Sequence, residues 1–97
     1  MKIRILSLAV GDLEAGRDFY ERQQPNLGVY FLDTLFSDIE ALLLHAGVHA
    51  QFFGYFRALS KRFPYAIYYK FNGDDIEIWR VLDCRQNPKR TATALRG

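Results

Sequence analysis

The chain predicts an α+β fold, with two antiparallel helices packed on one face of a mostly antiparallel four-stranded sheet, in the order β-α-α-β-β-β. Three observations carry this reading. Val29, Leu32, Leu35, Phe36, Ile39, Leu42, Leu43 and Ala46 recur at helical spacing over five turns. From about Gln51 the apolar period changes from 3.6 to 2, and Asn72-Gly73 stands between β-branched and aromatic runs, a strong hairpin signal. Pro25-Asn26-Leu27-Gly28 leaves only a short link between two helical segments, as an antiparallel helical hairpin requires.

Lys2-Ile3-Arg4-Ile5 alternates as a first strand. Ser7 is placed to cap a helix reaching about Gln24, with Asp12 and Glu14 near its positive end. Leu8, Ala9, Leu13, Ala15, Gly16, Phe19 and Tyr20 give that helix its apolar side, and Pro25-Asn26 breaks it. Gly47 offers a stop for the second helix, whose stripe reads as a core-facing surface.

The hairpin block runs from Arg57 to Pro88. Alternation puts Ile67, Tyr69, Ile76 and Ile78 toward the helices. The other face collects Ala66, Tyr68, Lys70, Asp75, Glu77, Trp79 and Val81, with Lys70 near Asp75 across the ladder. A Trp and a Tyr on the side away from the helices form a patch suited to a partner. The same parity turns Arg80 toward the helices, where it reads as half of a structural ion pair. It sends Asp83 and Arg85 to the opposite face or its rim, able to pair with each other or with a partner segment. Arg57 is either a partner-facing charge or a packed stem tied to a carboxylate. Lys61-Arg62 reads as a solvated hairpin tip.

Ninety-seven residues, 49% hydrophobic and 25% charged, suit one small folded domain over 1–97. Pro88–Gly97, with three basic residues and no acidic one, reads as a flexible tail. The single cysteine, Cys84, has no internal disulfide partner. It reads as a small buried residue on a strand in a reducing, cytoplasmic setting. The N-terminal apolar run is too brief for a signal peptide and too short to span a membrane. His45 and His49 stand four apart, but with Gly47 between them and no third ligand nearby no metal or other cofactor is implied. Net charge is +2, yet residues 1–50 hold four basic against seven acidic side chains and residues 51–97 hold nine against four. The positive half reads either as a site for an anionic partner, nucleic acid or an acidic protein segment, or as an ordinary solvated surface.

The pattern Arg57…Phe63-Pro64-Tyr65-x-x-Tyr68-Tyr69…Val81-Leu82-Asp83-x-Arg85-x-x-Pro88, with Asp12-Leu13, Phe19-Tyr20 and Phe31-Leu32 upstream, resembles the RelE/ParE family of bacterial toxins from type II toxin–antitoxin modules. RelE-type members are ribosome-dependent messenger RNA endonucleases that need several basic groups and a late tyrosine or histidine for proton transfer and phosphorane stabilisation. For such a member the resemblance implies Arg85 as catalytic, but Ala66 stands where a second arginine is expected and Thr91 near the terminal tyrosine. The nuclease constellation is incomplete. ParE-type members inhibit DNA gyrase by contact, which needs a surface rather than an acid–base pair. The resemblance therefore implies a ParE-like toxin that binds rather than cuts, with a ParD-like antitoxin presenting an acidic or amphipathic segment to Arg57, Tyr68, Trp79, Asp83 and Arg85. A ribosome-directed nuclease and a non-toxic module that only binds an antitoxin are the alternatives.

Overall fold

A computed structural model describes residues 1–96. The strand β1 (Ile3–Ile5) runs directly into helix α1 (Ser7–Gln23), followed by α2 (Leu27–Glu40) and a single turn, α3 (Leu42–His45). Four further strands follow, β2 (Gln51–Phe52), β3 (Tyr55–Leu59), β4 (Tyr65–Asn72) and β5 (Asp75–Asp83), and the chain closes on α4 (Pro88–Arg96). The sheet is five-stranded, ordered β1-β5-β4-β3-β2. β1 lies parallel to β5 and every other pair is antiparallel. The α+β class and the helical hairpin are as the sequence predicts. The strand count is one higher, because the two-residue β2 is too short to show a period of its own.

Ser7 does not cap α1. The flanking position is Leu6, which makes no side-chain cap. Its backbone instead serves two elements, with Leu6 N–H donating to Ile78 O at 3.0 Å and Leu6 O accepting from Val10 N at 3.0 Å. The link to α2 is tied by Glu21, whose carboxylate accepts from the amides of Asn26 and Gly28 at 2.9 Å each. Asn26 adopts a left-handed φ of 72°. Gly28 is needed for the close helix approach, since a Cβ there would lie 2.7 Å from the Arg17 carbonyl oxygen.

The apolar stripe of α2 is rotated from its expected centre. Phe31, Leu35 and Ile39, followed by Leu42 in α3, are buried, while Val29, Phe36 and Leu43 remain exposed. The predicted five-turn helix is divided at Ala41, and Gly47 ends it at φ 92° as expected.

The β4–β5 turn is Gly73-Asp74, with Asn72 opposite Asp75. Positive φ falls on Gly73 and not on Asp74, as a II′ turn requires. Ile67, Tyr69, Ile76 and Ile78 face the helices and are fully buried, as alternation predicts. Lys70 opposes Glu77 rather than Asp75, because the turn is placed one residue later than the tightest reading. A bulge then breaks the alternation: Tyr69 faces Ile78 but Tyr68 faces Arg80, leaving Trp79 as the extra residue. From Val81 onward the parity assignments on β5 reverse, although the Arg80 side chain still reaches α1. Val81, expected on the far face, joins the helix-side core, and Leu82 takes the far side.

The far side carries a second, smaller cluster of Tyr55, Ala66, Tyr68 and Leu82, closed by Leu95 of α4 with Trp79 and Ala94 at its margin. The segment expected as a loose tail is thus helical through Arg96, and its last residue, Gly97, lies outside the described residues. Nine residues are too few to hold a helix in water by propensity alone. Burying Leu95, 4% exposed, contributes roughly 1.5–3 kcal/mol and supplies the anchor.

Candidate partner-binding face

The face opposite α1 and α2 presents the hairpin's charged and aromatic residues around α4. Arg57 lies on β3 opposite Tyr68 of β4. Its Nε is buried and meets no acceptor among the described residues, its Nη2 approaches the Cys84 sulfur at 3.8 Å, and the guanidinium also neighbours the Tyr68 hydroxyl. The guanidinium carbon stands 5.0 Å from the Phe52 ring centre. Of the two readings open to Arg57, the packed stem tied to a carboxylate is therefore not the arrangement found.

Tyr68 is only 5% exposed, so the aromatic patch is not the open surface its face assignment suggested; Leu95 packs in the same cluster. Burial pushes the Tyr68 hydroxyl above its ordinary range, with Arg57 opposing in part. Trp79 is half-buried against Tyr55, their ring centres 5.9 Å apart, and its Nε1 is a second buried donor without a partner among the described residues. Lys70 reaches over both rings, 4.3 Å from Tyr55 and 5.2 Å from Trp79, a cation–π arrangement in place of a carboxylate pair.

Asp83 and Arg85 do pair, but not on the face expected. The bulge puts Asp83 opposite Tyr65, whose ring belongs to the helix-side core. Arg85 grips the carboxylate through Nε at 3.0 Å and Nη2 at 2.8 Å, and its Nη2 also reaches Tyr20 Oη at 3.3 Å. The Arg85 hydrogen bonds hold the Asp83 carboxyl below its usual range, while Asp83 raises Arg85. Burial first, and Asp83 second, push the Tyr65 hydroxyl up to about 12. Because the Asp83 value is lowered on folding, its contribution is present above about pH 4 and is lost as pH falls through the folded value. Arg85 is 54% exposed, so the increment at neutral pH is about 0.5–1 kcal/mol. Urea midpoints should therefore drop more steeply from pH 5 to pH 2.5 in the wild type than in Arg85→Met. Parallel acid limbs would contradict this coupling.

Arg80 forms the structural ion pair expected of it. Asp12 on α1 accepts from Arg80 Nε and Nη2 at 2.8 Å each, and from the Val81 amide at 2.9 Å. Between α1, the end of β5 and α4 lies a polar cleft of about 550 Å³, with Arg22, Arg90, Asp12 and Asp83 among its walls. Cys84 is exposed in the turn after β5, not buried on a strand, because β5 ends one residue earlier. Arg62 donates to Tyr30 Oη at 3.2 Å, and the Lys61 amide to Asp38 at 3.3 Å, so the expected free tip is tethered to α2. His49 hydrogen-bonds the Tyr69 hydroxyl through Nδ1.

Sequence reasoning passed over Phe52 and Phe53. They are 42% and 53% exposed beside Arg57, in a turn where Phe53 holds φ 53° and Gly54 φ 84°. The X-Gly pair between two aromatic residues was the signal available for that turn.

The arrangement gathers Arg57, Tyr68 and Trp79 on one side, and turns Asp83 and Arg85 to the other. The candidate surface is divided by α4, over an α+β frame. Residues 3–88 match the family described as the ParE toxin of type II toxin-antitoxin systems, parDE, and the chain belongs to that family. Among solved structures it is similar to a chain described as the chromosomal ParDE toxin–antitoxin system from P. aeruginosa. The TM-score is 0.74 at 20% identity, covering 84% of this chain and 92% of that one, a likeness of fold. No curated protein matches it. No helix among the described residues is long and apolar enough to cross a membrane.

Proposed function

We propose that the chain is a cytoplasmic toxin acting by contact, that it inhibits DNA gyrase and so blocks replication, and that a cognate antitoxin with an acidic or amphipathic segment neutralises it. Membership of the ParE family supports this reading. The observation that carries it against the nuclease alternative is the state of Arg85. The arginine that RNA cleavage would need is committed to Asp83 in a two-point contact and to Tyr20. Ala66, where a second arginine would be needed, is 0% exposed.

The purified chain is expected to inhibit gyrase supercoiling at near-stoichiometric concentration, and addition of the antitoxin is expected to restore it. Undiminished supercoiling at stoichiometric excess would refute the gyrase assignment. Codon-specific cuts in ribosome-bound message, abolished by Arg85→Ala, would replace it with the nuclease reading. Normal growth on expression without antitoxin would leave only an interaction module.

A further inference from the structure

We propose that the cleft around Arg57 is a carboxylate-binding subsite, shaped for one Asp or Glu side chain flanked by apolar residues on a protein partner; it deepens the neutralisation reading above and rests on it for the partner's identity. The other arginines with carboxylate contacts are satisfied from within the fold: Arg4 by Glu77, Arg17 by Asp18, Arg80 by Asp12 and Arg85 by Asp83. Arg57 is different. It is half-buried, its Nε has no acceptor among the described residues, and its remaining side-chain contacts, the Tyr68 hydroxyl and a cysteine sulfur at 3.8 Å, carry no charge. A desolvated guanidinium without a carboxylate is costly to keep, and an incoming carboxylate would meet donors already fixed in place.

The walls define what carries that carboxylate. The cleft holds about 260 Å³, bounded by Phe52, Phe53, Tyr68, Pro88 and Thr91 with no acidic residue in its lining. That volume suits one or two side chains. The Phe53-Gly54 turn is a second, independent observation. Both residues have positive φ, 53° and 84°, in a two-residue hairpin position that Asn, Asp or Gly occupies without strain. A bulky aromatic in that conformation is strained, and strain of this kind concentrates at binding sites. Here it holds a 53%-exposed ring at the rim. Tyr68 closes the cleft from β4; its hydroxyl, raised by burial, stays protonated and able to donate.

Nucleic acid also offers anionic oxygens, but it needs a row of cations along an open track. The neighbouring Lys89 and Arg90 line other hollows of α4, and Arg96 stacks outside, over the Phe53 ring at 5.7 Å, so Arg57 is the one cation in the lining itself.

The test uses the intact chain, labelled with ¹⁵N, and 3-phenylpropionate as a probe joining one carboxylate to one apolar group. The Arg57 Nε–H resonance and the Thr91 amide are expected to shift saturably. Neutral 3-phenylpropanamide, or Arg57→Gln with an unchanged fold spectrum, should bind at least tenfold more weakly. Arg57→Lys, which keeps the charge and loses the fork, should also weaken binding. Absence of a saturable shift, or equal binding by Arg57→Gln, overturns the subsite. Stronger competition by inorganic phosphate or oligouridylate would reassign it to nucleic acid and overturn the carboxylate proposal. Failure of this titration leaves gyrase inhibition and its relief intact, because those are read separately in the supercoiling assay.

Discussion

Replacing Phe31 by alanine should lower the unfolding free energy by about 3–5 kcal/mol, the usual range for emptying a large aromatic site in a core. The ring is 0% exposed. It stacks on Tyr20 at 5.2 Å and meets Phe63 and Tyr65 edge-on at 5.1 and 4.9 Å, so α1, α2 and the start of β4 all lean on it. Gly16 shows how little slack remains: a Cβ there would fall 2.5 Å from Phe31 Cζ. A site enclosed by rings and by two helices cannot collapse fully around the missing atoms, which places the loss in the upper part of the range. Against a total of about 5–15 kcal/mol for a domain of this size, one substitution removes at least about a fifth of the stability. Urea denaturation reads it directly, as a midpoint lowered by about 1–5 M at a slope near 1–3 kcal/mol per M. A loss below about 1 kcal/mol would show that Phe31 is not the hinge of the core. The site would feel the loss too, because Tyr20, packed on this ring, also accepts from Arg85.

The elements whose residues repeat at a regular period were legible in the chain, and those set by a single local event were not. The helical hairpin and the core positions Ile67, Tyr69, Ile76 and Ile78 follow from repetition, which survives small errors of boundary. The bulge at Trp79 is one inserted residue, with no composition signal, yet it reverses the facing of Val81 and Asp83 together. Asp83 and Arg85, expected on the far face or its rim, are turned away by that one event, while Tyr68 and Trp79 lie on the far side as alternation placed them. α4 was hidden for another reason. Its polar composition suggests a solvated tail, and only Leu95 and Ala94 reveal that a face exists for it to cover. The missing partner of Arg57 could not be read at all, because it depends on which carboxylates the fold brings near. Asp12 reaches Arg80 across 68 positions of sequence.

Asp12→Ala should cost about 2–4 kcal/mol, more than the ion pair it breaks is worth in net terms. The Asp12 and Arg80 side chains are 14% and 20% exposed, so neither is well hydrated. Removing the carboxylate leaves the guanidinium with two donors unmatched and strips the Val81 amide of its acceptor. Loss of one partner from a buried pair typically costs about 3–5 kcal/mol, reduced here because some water still reaches both groups. Removing both charges together is expected to be much milder. Asp12→Ala with Arg80→Met deletes the stranded cation and keeps an aliphatic stem against α1, so the double variant should regain at least about 1 kcal/mol over Asp12→Ala alone. The Val81 amide remains without its acceptor in both, which sets the part that is not recovered. Thermal or urea unfolding of the four proteins in the cycle measures the coupling. A coupling energy under about 0.5 kcal/mol would mean that Asp12 acts through the amide and not through Arg80. Arg80 is also the residue next to Trp79 in the bulge, so this clamp from α1 fixes the backbone on which the Trp79 indole is carried. If the clamp positions that indole, Asp12→Ala will move the Trp79 fluorescence maximum in the folded state at a denaturant concentration where the far-ultraviolet circular dichroism is unchanged.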